Sequence, residues 1–314
     1  MKPNLLVVGS HAPAMFVDVE RPPLIGETIK GENFRDQIDG GKGSNQAIAA
    51  ARLGASVSFI GRVGNDRLGK TFTTWLESDS VDHQWLFIDE EHPTGAGLKI
   101  QTDDGDCALI TWMGANQFLS KEQVEAAIEH YPSSKILLTQ FEIPHEIALF
   151  ASDLAVRLGK MSIVNPAPAT KLDCLAQHQI SILVPNKIEA FTLLGLDISD
   201  DQDLRDICYE LRDAVHAESV IITLGKDGSI GLDNDGIWEI TAPQVESIDA
   251  SGAGDVFCAA IGVGLLDGKS IREASKWAAY AAALSVTRQG TIPAFPYRNE
   301  LDKFIKAQLE GLNV

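Results

Sequence analysis

The chain has 314 residues, 45% hydrophobic and 22% charged, a composition that excludes a disordered or collagen-like protein. Its length predicts one large or two moderate domains. Because 44 acidic residues oppose 26 basic ones, the formal net charge is −18 at pH 7. This charge repels nucleic acid and anionic lipid, so we expect neither nucleic acid nor a membrane as partner. An anionic ligand would need a local cluster of N–H groups, a metal ion or placed cations.

Cysteine usage and the N-terminal segment predict a cytoplasmic protein. The four cysteines are widely separated and form no CxxC pair: Cys107, Cys174, Cys208 and Cys258. This spacing suggests reduced thiols, with neither a zinc site nor a disulfide framework. The apolar run that begins at Leu5 is too short for a signal peptide, and no window approaches the 18 apolar residues of a membrane span.

Strand and helix patterns alternate along most of the chain. The apolar run 5–9 predicts a buried strand, and the alanine-rich segment 44–53, which stops at Gly54, predicts a helix before a strand at 57–60. Further strands are predicted at 135–140, 161–165, 181–186 and 220–225, with helices near 120–130, 145–158, 187–194 and 201–217. The segment that starts at Ser120 predicts a capping box with Gln123. The alternation favours an α/β fold with a doubly wound, mainly parallel sheet flanked by helices.

Residues 12–40 and 93–114 interrupt this alternation. Both are rich in turn formers and contain short alternating segments, which predicts a small second β-sheet. Because these regions are inserted between α/β units, we expect a lid over a core made of residues 1–11, 41–92 and 115–314, near the strand ends where such folds bind ligands. Turn residues 234–236 also predict a hairpin within 229–241.

The segment 249–255 (DASGAGD) precedes a run of small apolar residues that extends to Leu266. A helix that begins here would direct free N–H groups and its positive dipole end at a ligand above Asp255. A carboxylate among these groups can accept a proton from a hydroxyl while the N–H groups hold phosphoryl oxygens. The alternative is a glycine-rich loop in which Asp255 only caps the helix.

A second glycine-rich segment, 40–45 (GGKGSN), leads into the alanine-rich helix. Its glycines allow a sugar or phosphate to lie on the backbone, with Lys42 as a movable charge and Asn45 as a fixed donor and acceptor. A flexible turn before a helix is the alternative.

Residues 64–71 match the P-loop pattern GxxxxGK[ST] between a predicted strand and a predicted helix. Two features disfavour a P-loop NTPase. Asp66 would lie inside the phosphate cradle, and the Walker B candidate at 86–89 follows after only one short helix.

Together, the two glycine motifs resemble the two signatures of the ribokinase-like sugar kinases, the PfkB family. The first continues from Gly40 to Gly69, which explains the glycines of the P-loop pattern, and the second is 249–255. Similar segments cover nearly the whole chain: 26–28, 140–142, 165–169, 185–190, 223–228 and 286–290. The resemblance implies an α/β domain with a β-sheet lid, and transfer of the ATP γ-phosphoryl group to a primary hydroxyl of a sugar, with ribose the first acceptor to test.

The resemblance also implies roles for individual residues. Asp255 would be the base, and the N–H groups of Gly252, Ala253 and Gly254 would stabilise the transferring phosphoryl group. Sugar hydroxyls would be held by Gly41, Lys42, Gly43, Asn45 and Glu142, together with Asp255.

The cofactor positions follow from the same resemblance. Asn186 and Glu189 would organise Mg²⁺ and the phosphates through water, although Asn186 could instead be a simple helix cap. The nucleotide would contact Thr223, Gly225, Gly228, Gly254 and Ala279. A K⁺ site would use the Asp249 carboxylate with the carbonyls of Ser251, Ser285, Arg288 and Gly290. Ala294 stands where the ribokinase pattern has Ser, which removes one oxygen ligand from that site.

One departure from the family pattern concerns the acceptor. Ala12 and Ala14 stand where the family usually has Asn and Asp that hold two ring hydroxyls. Loss of two such partners should weaken ribose binding unless His11 or Asp18 replaces them. We therefore expect an altered sugar specificity, and a nucleoside kinase or a catalytically silent sugar or nucleotide sensor remains an alternative. The resemblance further implies a possible homodimer through the lid.

Overall fold

The computed structural model describes residues 2–36, 40–102, 107–171, 178–199 and 202–311, with the side chains of Cys107 and Leu109 outside that description. Cys174 lies outside the described residues, whereas Cys208 and Cys258 are free and buried. Within the described ranges the strands form two sheets, one of nine strands and one of four. The predicted α/β class and the small second sheet are both confirmed.

The main sheet is parallel from one edge as far as its last two strands, which pair in an antiparallel manner. Its strands are β1 (Leu5–Val8), β4 (Val57–Gly64), β5 (Asp82–Asp89), β8 (Ile136–Gln140), β9 (Met161–Asn165), β10 (Ile180–Leu183), β11 (Ala217–Thr223), β12 (Ser229–Asp233) and β13 (Gly236–Ile240). The β12–β13 turn at Asn234 and Asp235 is the hairpin predicted from the sequence.

The strand order β13-β12-β11-β10-β9-β8-β1-β4-β5 places the reversal of the sheet at β1. The chain builds outward from β1 through β4 and β5 on one side, then returns to β8, beside β1, and builds outward through β9 to β13 on the other. Ligands bind at the carboxyl ends of the strands beside such a reversal. Residues that follow Val8 and Gln140 therefore meet at the expected binding crevice.

Helices cover both faces of the main sheet. They are α1 (Lys42–Arg52), α2 (Arg67–Ser78), α3 (Lys121–His130), α4 (His145–Arg157), α5 (Lys187–Leu194), α6 (Leu204–Val215), α7 (Ala253–Leu266), α8 (Ile271–Ser285) and α9 (Arg298–Leu309). One hydrophobic core joins one face of the sheet to α1, α2, α7, α8 and α9, and a second joins the other face to α3, α4, α5 and α6. In the described part of the chain, no helix is both long and apolar enough to cross a bilayer.

Helix α7 lies centrally between the sheet and α8 because it is apolar on all sides. Its small residues allow this close packing. A Cβ at Gly262 would lie 3.1 Å from Leu5, and a Cβ at Gly264 would lie 3.0 Å from Ala274. The N-terminus of α7 is therefore held at the carboxyl edge of the sheet.

The second sheet contains the strands β2 (Ala14–Val19), β3 (Glu32–Asp36), β6 (Thr94–Thr102) and β7 (Cys107–Gly114), in the order β3-β2-β6-β7. The register pairs Met15 with Leu98 and Leu98 with Ile110, so these residues share one face. That face is exposed to solvent, since Met15 is 39% and Ile110 is 63% exposed. The opposite face contains Ala14 and Phe16.

Two polar side chains hold the second sheet to the main sheet. The carboxylate of Asp66, at the start of α2, accepts hydrogen bonds from the N–H and hydroxyl of Thr94 at 2.7 and 2.8 Å. The amide of Asn116 bonds to both backbone groups of His11 and to the Met113 carbonyl. These bonds fix the points at which the chain crosses between the two sheets.

Candidate active site

The glycine-rich loop 40–43 lies against the backbone that follows β1. Gly41 has φ +93°, and a Cβ there would lie 2.5 Å from the nitrogen of Ala12. At Gly43 a Cβ would lie 2.4 Å from the nitrogen of Ser10. Only glycine allows the two segments to approach this closely, and the approach brings the start of α1 to the carboxyl end of β1.

Asp255 lies in the first turn of α7 and is 5% exposed. The turn begins at Gly252, which has φ +77° and precedes the helix. Ala253 donates a long backbone bond of 3.3 Å to the Ala250 carbonyl. The predicted anion-binding N–H groups and the predicted base are thus adjacent at one helix N-terminus.

A buried chain of amides holds the Asp255 carboxylate. Asn45 and Gln46 donate to its two oxygens at 2.8 and 3.1 Å. Gln140 donates to Gln46 at 2.5 Å, and Gln46 also approaches Asn165 at 3.5 Å. Asn45 Oδ1 is buried and has no hydrogen-bond partner within the described residues. That oxygen can accept a hydrogen bond from a ligand hydroxyl placed beside Asp255.

Lys42 and Glu142 place two further charged groups near Asp255, the predicted base. Glu142 accepts hydrogen bonds from the Ser10 hydroxyl at 2.6 Å and from the Lys42 backbone N–H at 2.7 Å. Burial lowers the pKa of the Lys42 amine, but the carboxylates of Asp255, Glu142 and Glu189 outweigh it, so this pKa lies above its usual value. Lys42 is therefore a permanent cation beside the base.

Burial is the largest influence on Asp255, and it raises the pKa of that carboxyl above its usual value. The charge of Lys42 and the hydrogen bond from Asn45 oppose this rise. A carboxylate with a raised pKa is a better proton acceptor than an exposed one. Burial thus makes the predicted base a stronger proton acceptor, while Lys42 keeps a positive charge beside it.

A cleft of about 370 Å³ lies on the other side of the α7 N-terminus. The residues predicted to contact the nucleotide all line it: Thr223, Gly225, Gly228, Gly254 and Ala279. A Cβ at Gly254 would meet no atom within 4 Å. Small residues thus leave room for a flat ring and for phosphates above the helix N-terminus.

Asn186 and Glu189 form a capping box at the start of α5. Each side chain accepts a hydrogen bond of 2.8 Å from the backbone N–H of the other residue. The capping alternative is thus observed at Asn186. It does not exclude contact with a hydrated cation, because Glu189 keeps a second carboxylate oxygen, and its charge interacts with the charges of Lys42 and Asp255.

The Asp249 carboxylate links the loop before α7 to the segment after α8. It accepts hydrogen bonds from the N–H groups of Ser251 at 2.9 Å and Gly290 at 3.0 Å. Three of the predicted K⁺ ligands are thus neighbours, whereas the Arg288 side chain pairs with Glu300. Since the described ranges contain no metal-type cluster of His, Cys, Asp or Glu, a cation here would depend on carbonyl oxygens.

Ala12 and Ala14 lack the polar groups that the family pattern places there. The sequence suggested His11 and Asp18 as replacements. The His11 ring is fully buried and stacked on Phe72 at 3.9 Å, and burial lowers its pKa to about 3. Asp18 accepts hydrogen bonds from Arg35 and Asn33 instead. Asp18 is thus occupied by its own partners, whereas His11 Nε2 is buried and has no hydrogen-bond partner within the described residues.

The P-loop alternative fails because the loop contains its own anion. Asp66 accepts the N–H of Gly69 at 2.9 Å, in addition to its two bonds from Thr94. The bond from Gly69 occupies a loop N–H group that a phosphate would need. A Cβ at Gly64 would lie 2.6 Å from the Thr94 nitrogen, so that glycine serves packing.

Sequence reasoning gave no role to Ser10, Gln46, Gln140 and Asn165. Gln140 and Asn165 end neighbouring parallel strands and are paired in register, so strand ends alone could have placed them together. Gln46 had a weaker signal, since it directly follows Asn45 in the glycine motif.

Comparison with known proteins identifies the family pattern over almost the whole chain. A family model described as "pfkB family carbohydrate kinase" matches residues 2–298. Ribokinase of Haemophilus influenzae is 33% identical over 306 residues, covering 98% of this chain and 99% of that protein. Ribokinase of Bacillus subtilis is 32% identical over 304 residues, covering 96% and 99%.

A solved structure shows the same architecture. Arabidopsis thaliana ribokinase complexed with ribose and ATP superposes with a TM-score of 0.85 at 30% identity, covering 98% of this chain and 99% of that one. The resemblance drawn from the two glycine motifs is confirmed.

Proposed function

This chain belongs to the pfkB family of carbohydrate kinases, which transfer a phosphoryl group to an alcohol, and from that premise we propose that it phosphorylates a primary hydroxyl of a sugar with ATP. The observation that supports this most is the buried Asp255 carboxylate at the N-terminus of α7, beside the unpartnered Asn45 oxygen. The Arabidopsis relative, complexed with ribose and ATP, supports the substrate classes.

In the proposed reaction, the sugar hydroxyl oxygen forms a bond to the γ-phosphorus, and the bond from that phosphorus to the β–γ bridging oxygen breaks. The hydroxyl proton passes to Asp255, and ADP leaves with the bridging oxygen. The transition state is loose, so proton transfer comes late and the charge gathers on phosphoryl oxygens. The N–H groups of Gly252, Ala253 and Gly254 stabilise that charge, and the Ala253 bond to Ala250 is long enough to be replaced.

We assign acceptor binding to the loop at the end of β1 and β8. Asn45 Oδ1 accepts one hydroxyl, while Lys42 and the backbone of Gly41 and Gly43 lie along the sugar. Glu142 is already fixed by Ser10 and by the Lys42 backbone, so it orients the loop as well as the sugar.

The nucleotide would occupy the cleft beside Gly254, with adenine against Ala279 and phosphates toward Gly225 and Gly228. Mg²⁺, which neutralises the phosphates when bound, fits the oxygen donors of Asn186 and Glu189 through water. K⁺ fits the linked loops of Asp249, Ser251 and Gly290, with the carbonyls of Ser285 and Arg288 as further ligands.

The division into a core (1–11, 41–92 and 115–314) and a lid (12–40 and 93–114) is part of this proposal. A homodimer through the lid is supported by its solvent-facing side, where Ile110 and Trp112 are 63% and 54% exposed. A monomer in sedimentation velocity at micromolar concentration would contradict the dimer.

The decisive experiment measures ADP formation from Mg-ATP with a panel of sugars and nucleosides, for the wild type and for Asp255→Asn. The Asn side chain keeps the shape and can still contact Asn45, but it cannot accept the proton. We expect kcat to fall by about 10²- to 10⁴-fold, the usual contribution of a general base.

Thermal unfolding of both proteins is the control for folding. Because burial raises the Asp255 pKa, loss of the charge favours the folded state at neutral pH, but the new amide N–H₂ would face one of the donors Asn45 and Gln46, so Asp255→Asn should change Tm little. A folded variant with wild-type turnover would exclude Asp255 as the base, and absence of turnover in the wild type with every acceptor would contradict the kinase.

A further inference from the structure

A continuous chain of buried side-chain amides lies behind Asp255. Gln46, in the second turn of α1, donates to Asp255 Oδ1 at 3.1 Å and accepts a hydrogen bond from Gln140 at 2.5 Å. Gln140 is the last residue of β8, and it pairs in register with Asn165, the last residue of β9. The carboxyl ends of two adjacent strands are thus joined, through α1, to the first turn of α7.

The direction of each hydrogen bond in this chain is fixed. Asn165 donates its amide N–H to the Val184 carbonyl at 2.8 Å, so its side-chain oxygen faces the Gln46 nitrogen at 3.5 Å. Gln140 donates to the Gln46 oxygen. A backbone carbonyl can only accept a hydrogen bond, so Asn165 cannot turn its amide over. Gln46 is therefore held with its N–H₂ group toward Asp255.

The two glutamines lie out of reach of a ligand. The side chains of Gln46 and Gln140 have no exposed surface, whereas Asn45, on the other oxygen of Asp255, is 6% exposed. Asn45 also has an acceptor oxygen without a partner in the described residues. A ligand in the crevice can contact Asn45 and Asp255 but neither glutamine. An effect of the glutamines on phosphoryl transfer would therefore pass through Asp255.

The carboxylate of Asp255 lies among opposing charges from several elements. Lys42 on α1 favours the charged form, whereas burial, Glu142 after β8 and Glu189 on α5 favour the neutral form. Cys258, one turn further along α7, stays neutral at physiological pH because burial raises the pKa of its thiol. The hydrogen bonds from the two amide donors favour the charged form and fix its orientation.

We propose that Gln46 is a positioning residue for the base, and that Gln140 acts on the reaction through Gln46 by holding its amide in the donating direction. The inference rests on the proposed kinase activity and deepens it. Gln46 holds Oδ1 of Asp255, which leaves Oδ2, beside the unpartnered Asn45 oxygen, for the acceptor hydroxyl. Removal of the chain should therefore change the rate and the pH dependence of turnover rather than substrate binding.

The test measures ADP formation from Mg-ATP with D-ribose, D-fructose and adenosine over a range of pH, for wild type, Gln46→Met, Gln140→Met and the double variant. Methionine keeps an unbranched side chain of similar length but has no amide. We expect Gln46→Met to lower the plateau kcat by about tenfold to 100-fold, the cost of a misplaced catalytic group. KM for both substrates should stay within about threefold, because neither glutamine contacts a ligand.

The pH profile and the double variant separate positioning from general damage. The acidic limb of kcat should move to higher pH by about one unit in Gln46→Met, because a hydrogen bond to the charged carboxylate is lost. Gln140→Met should give smaller changes in the same direction, since the Gln46 amide is then free to turn. The double variant should match Gln46→Met in kcat within about twofold, because Gln140 has no route to the base without Gln46.

Thr139→Val is the matched control on β8. Thr139 precedes Gln140, is fully buried, and has a hydroxyl without a partner in the described part of the chain. Valine has nearly the same shape, so kcat and the pH profile should stay as in wild type and Tm should not fall. Thermal unfolding of every variant reports folding. If Gln46→Met does not fold, the comparison of Gln140→Met with Thr139→Val decides the same question.

Wild-type plateau kcat with an unmoved acidic limb in folded Gln46→Met would overturn the inference and leave the proposed kinase intact. A change confined to KM would also contradict it, because the glutamine would then shape a binding site. Additive losses in the double variant would exclude action of Gln140 through Gln46. No ADP formation by the wild type with any acceptor would overturn both the inference and the proposed function.

Discussion

The crevice lies between a main-sheet wall, which contains Asp255, and a second-sheet wall, which contains Ala14. The two walls differ in how firmly their polar side chains are held. On the main-sheet wall, Asp255 is buried and bonded to Asn45 and Gln46, and Gln46 is itself bonded to Gln140 at the end of β8. On the face of the second sheet that contains Ala14, Lys99 lies over the Phe16 ring, and one ion pair joins Asp18 to Arg35. A substitution on the main-sheet wall leaves buried hydrogen-bond donors or acceptors without partners. A substitution on the second-sheet wall need not do so. The proposed chemistry therefore rests on the wall whose contacts are interlocked, and we expect substrate choice to vary more readily on the other.

The largest effect is expected from Gly252→Ala on the main-sheet wall. Gly252 has φ +77°, and a Cβ would lie 2.7 Å from Thr291 and 2.8 Å from the Phe295 ring. The strain should lower the free energy of unfolding by about 1–3 kcal/mol. Displacement of the α7 N-terminus by even a fraction of an ångström should lower kcat by up to about 100-fold. Denaturant unfolding and steady-state ADP formation measure the two effects.

Gly254→Ala is the matched control two residues away. The added Cβ meets no atom, and alanine favours the helix, so the free energy of unfolding should be unchanged or higher. Because Gly254 lines the nucleotide cleft, KM for ATP should rise instead. Equal destabilisation of the two variants would show that the positive φ of Gly252 is not what holds this turn.

A smaller effect is expected from Ala14→Asp on the second-sheet wall. The carboxylate would restore one of the two groups that the family pattern uses to hold ring hydroxyls. We expect kcat/KM for ribose to rise by about tenfold, the value of one added hydrogen bond to a charged group. Ala14→Leu, which adds volume without a polar atom, should give no rise. Comparable ribose kcat/KM in wild type and Ala14→Asp would show that this wall is only packing.

The smallest effect is a displaced pH profile in Lys42→Met, at the first residue of α1. The ammonium of Lys42 lowers the pKa of Asp255, so its removal should raise that pKa further. Asp255 must be deprotonated to accept a proton. The acidic limb of kcat/KM should therefore move to higher pH, with less activity at any given acidic pH.

Lys70→Met is the control for that profile. Lys70 belongs to the P-loop-like segment on α2, away from the base, and its removal should leave the acidic limb in place. A limb that stays fixed in Lys42→Met, or moves in Lys70→Met, would contradict the electrostatic link between Lys42 and Asp255.

Much of the fold could be predicted from the sequence because local signals were strong. Apolar runs ending at Gly9 or Gln140 and the capping box at Ser120 define elements within a few residues of their observed ends. The helix predicted at 201–217 is shorter, Leu204–Val215, because Asp203 caps it. Lys42, Asn45 and Asp255 could be predicted as site residues for the same reason, because each lies within a short glycine motif.

The rest depends on contacts between distant segments. The Gln140–Gln46–Asp255 chain joins three separate elements, and no local pattern announces it. The pairing of Phe16 with Lys99 depends on the register of β2 against β6, which lie 83 positions apart and are parallel. Register of this kind is decided by packing of whole strands rather than by the identity of either residue.

Asp66 gives the P-loop-like segment a structural role in place of phosphate binding. Its backbone N–H groups converge as they would for a bound anion, but the anion is a carboxylate of the same chain. The hydrogen bonds to Asp66 therefore hold the start of α2 to Thr94, the first residue of β6. Burial opposes this arrangement, yet the hydrogen bonds from Gly69 and Thr94 outweigh it and lower the Asp66 pKa. The cohesion persists at neutral pH and weakens as the pH falls through that lowered pKa, so acid loosens the join between the sheets.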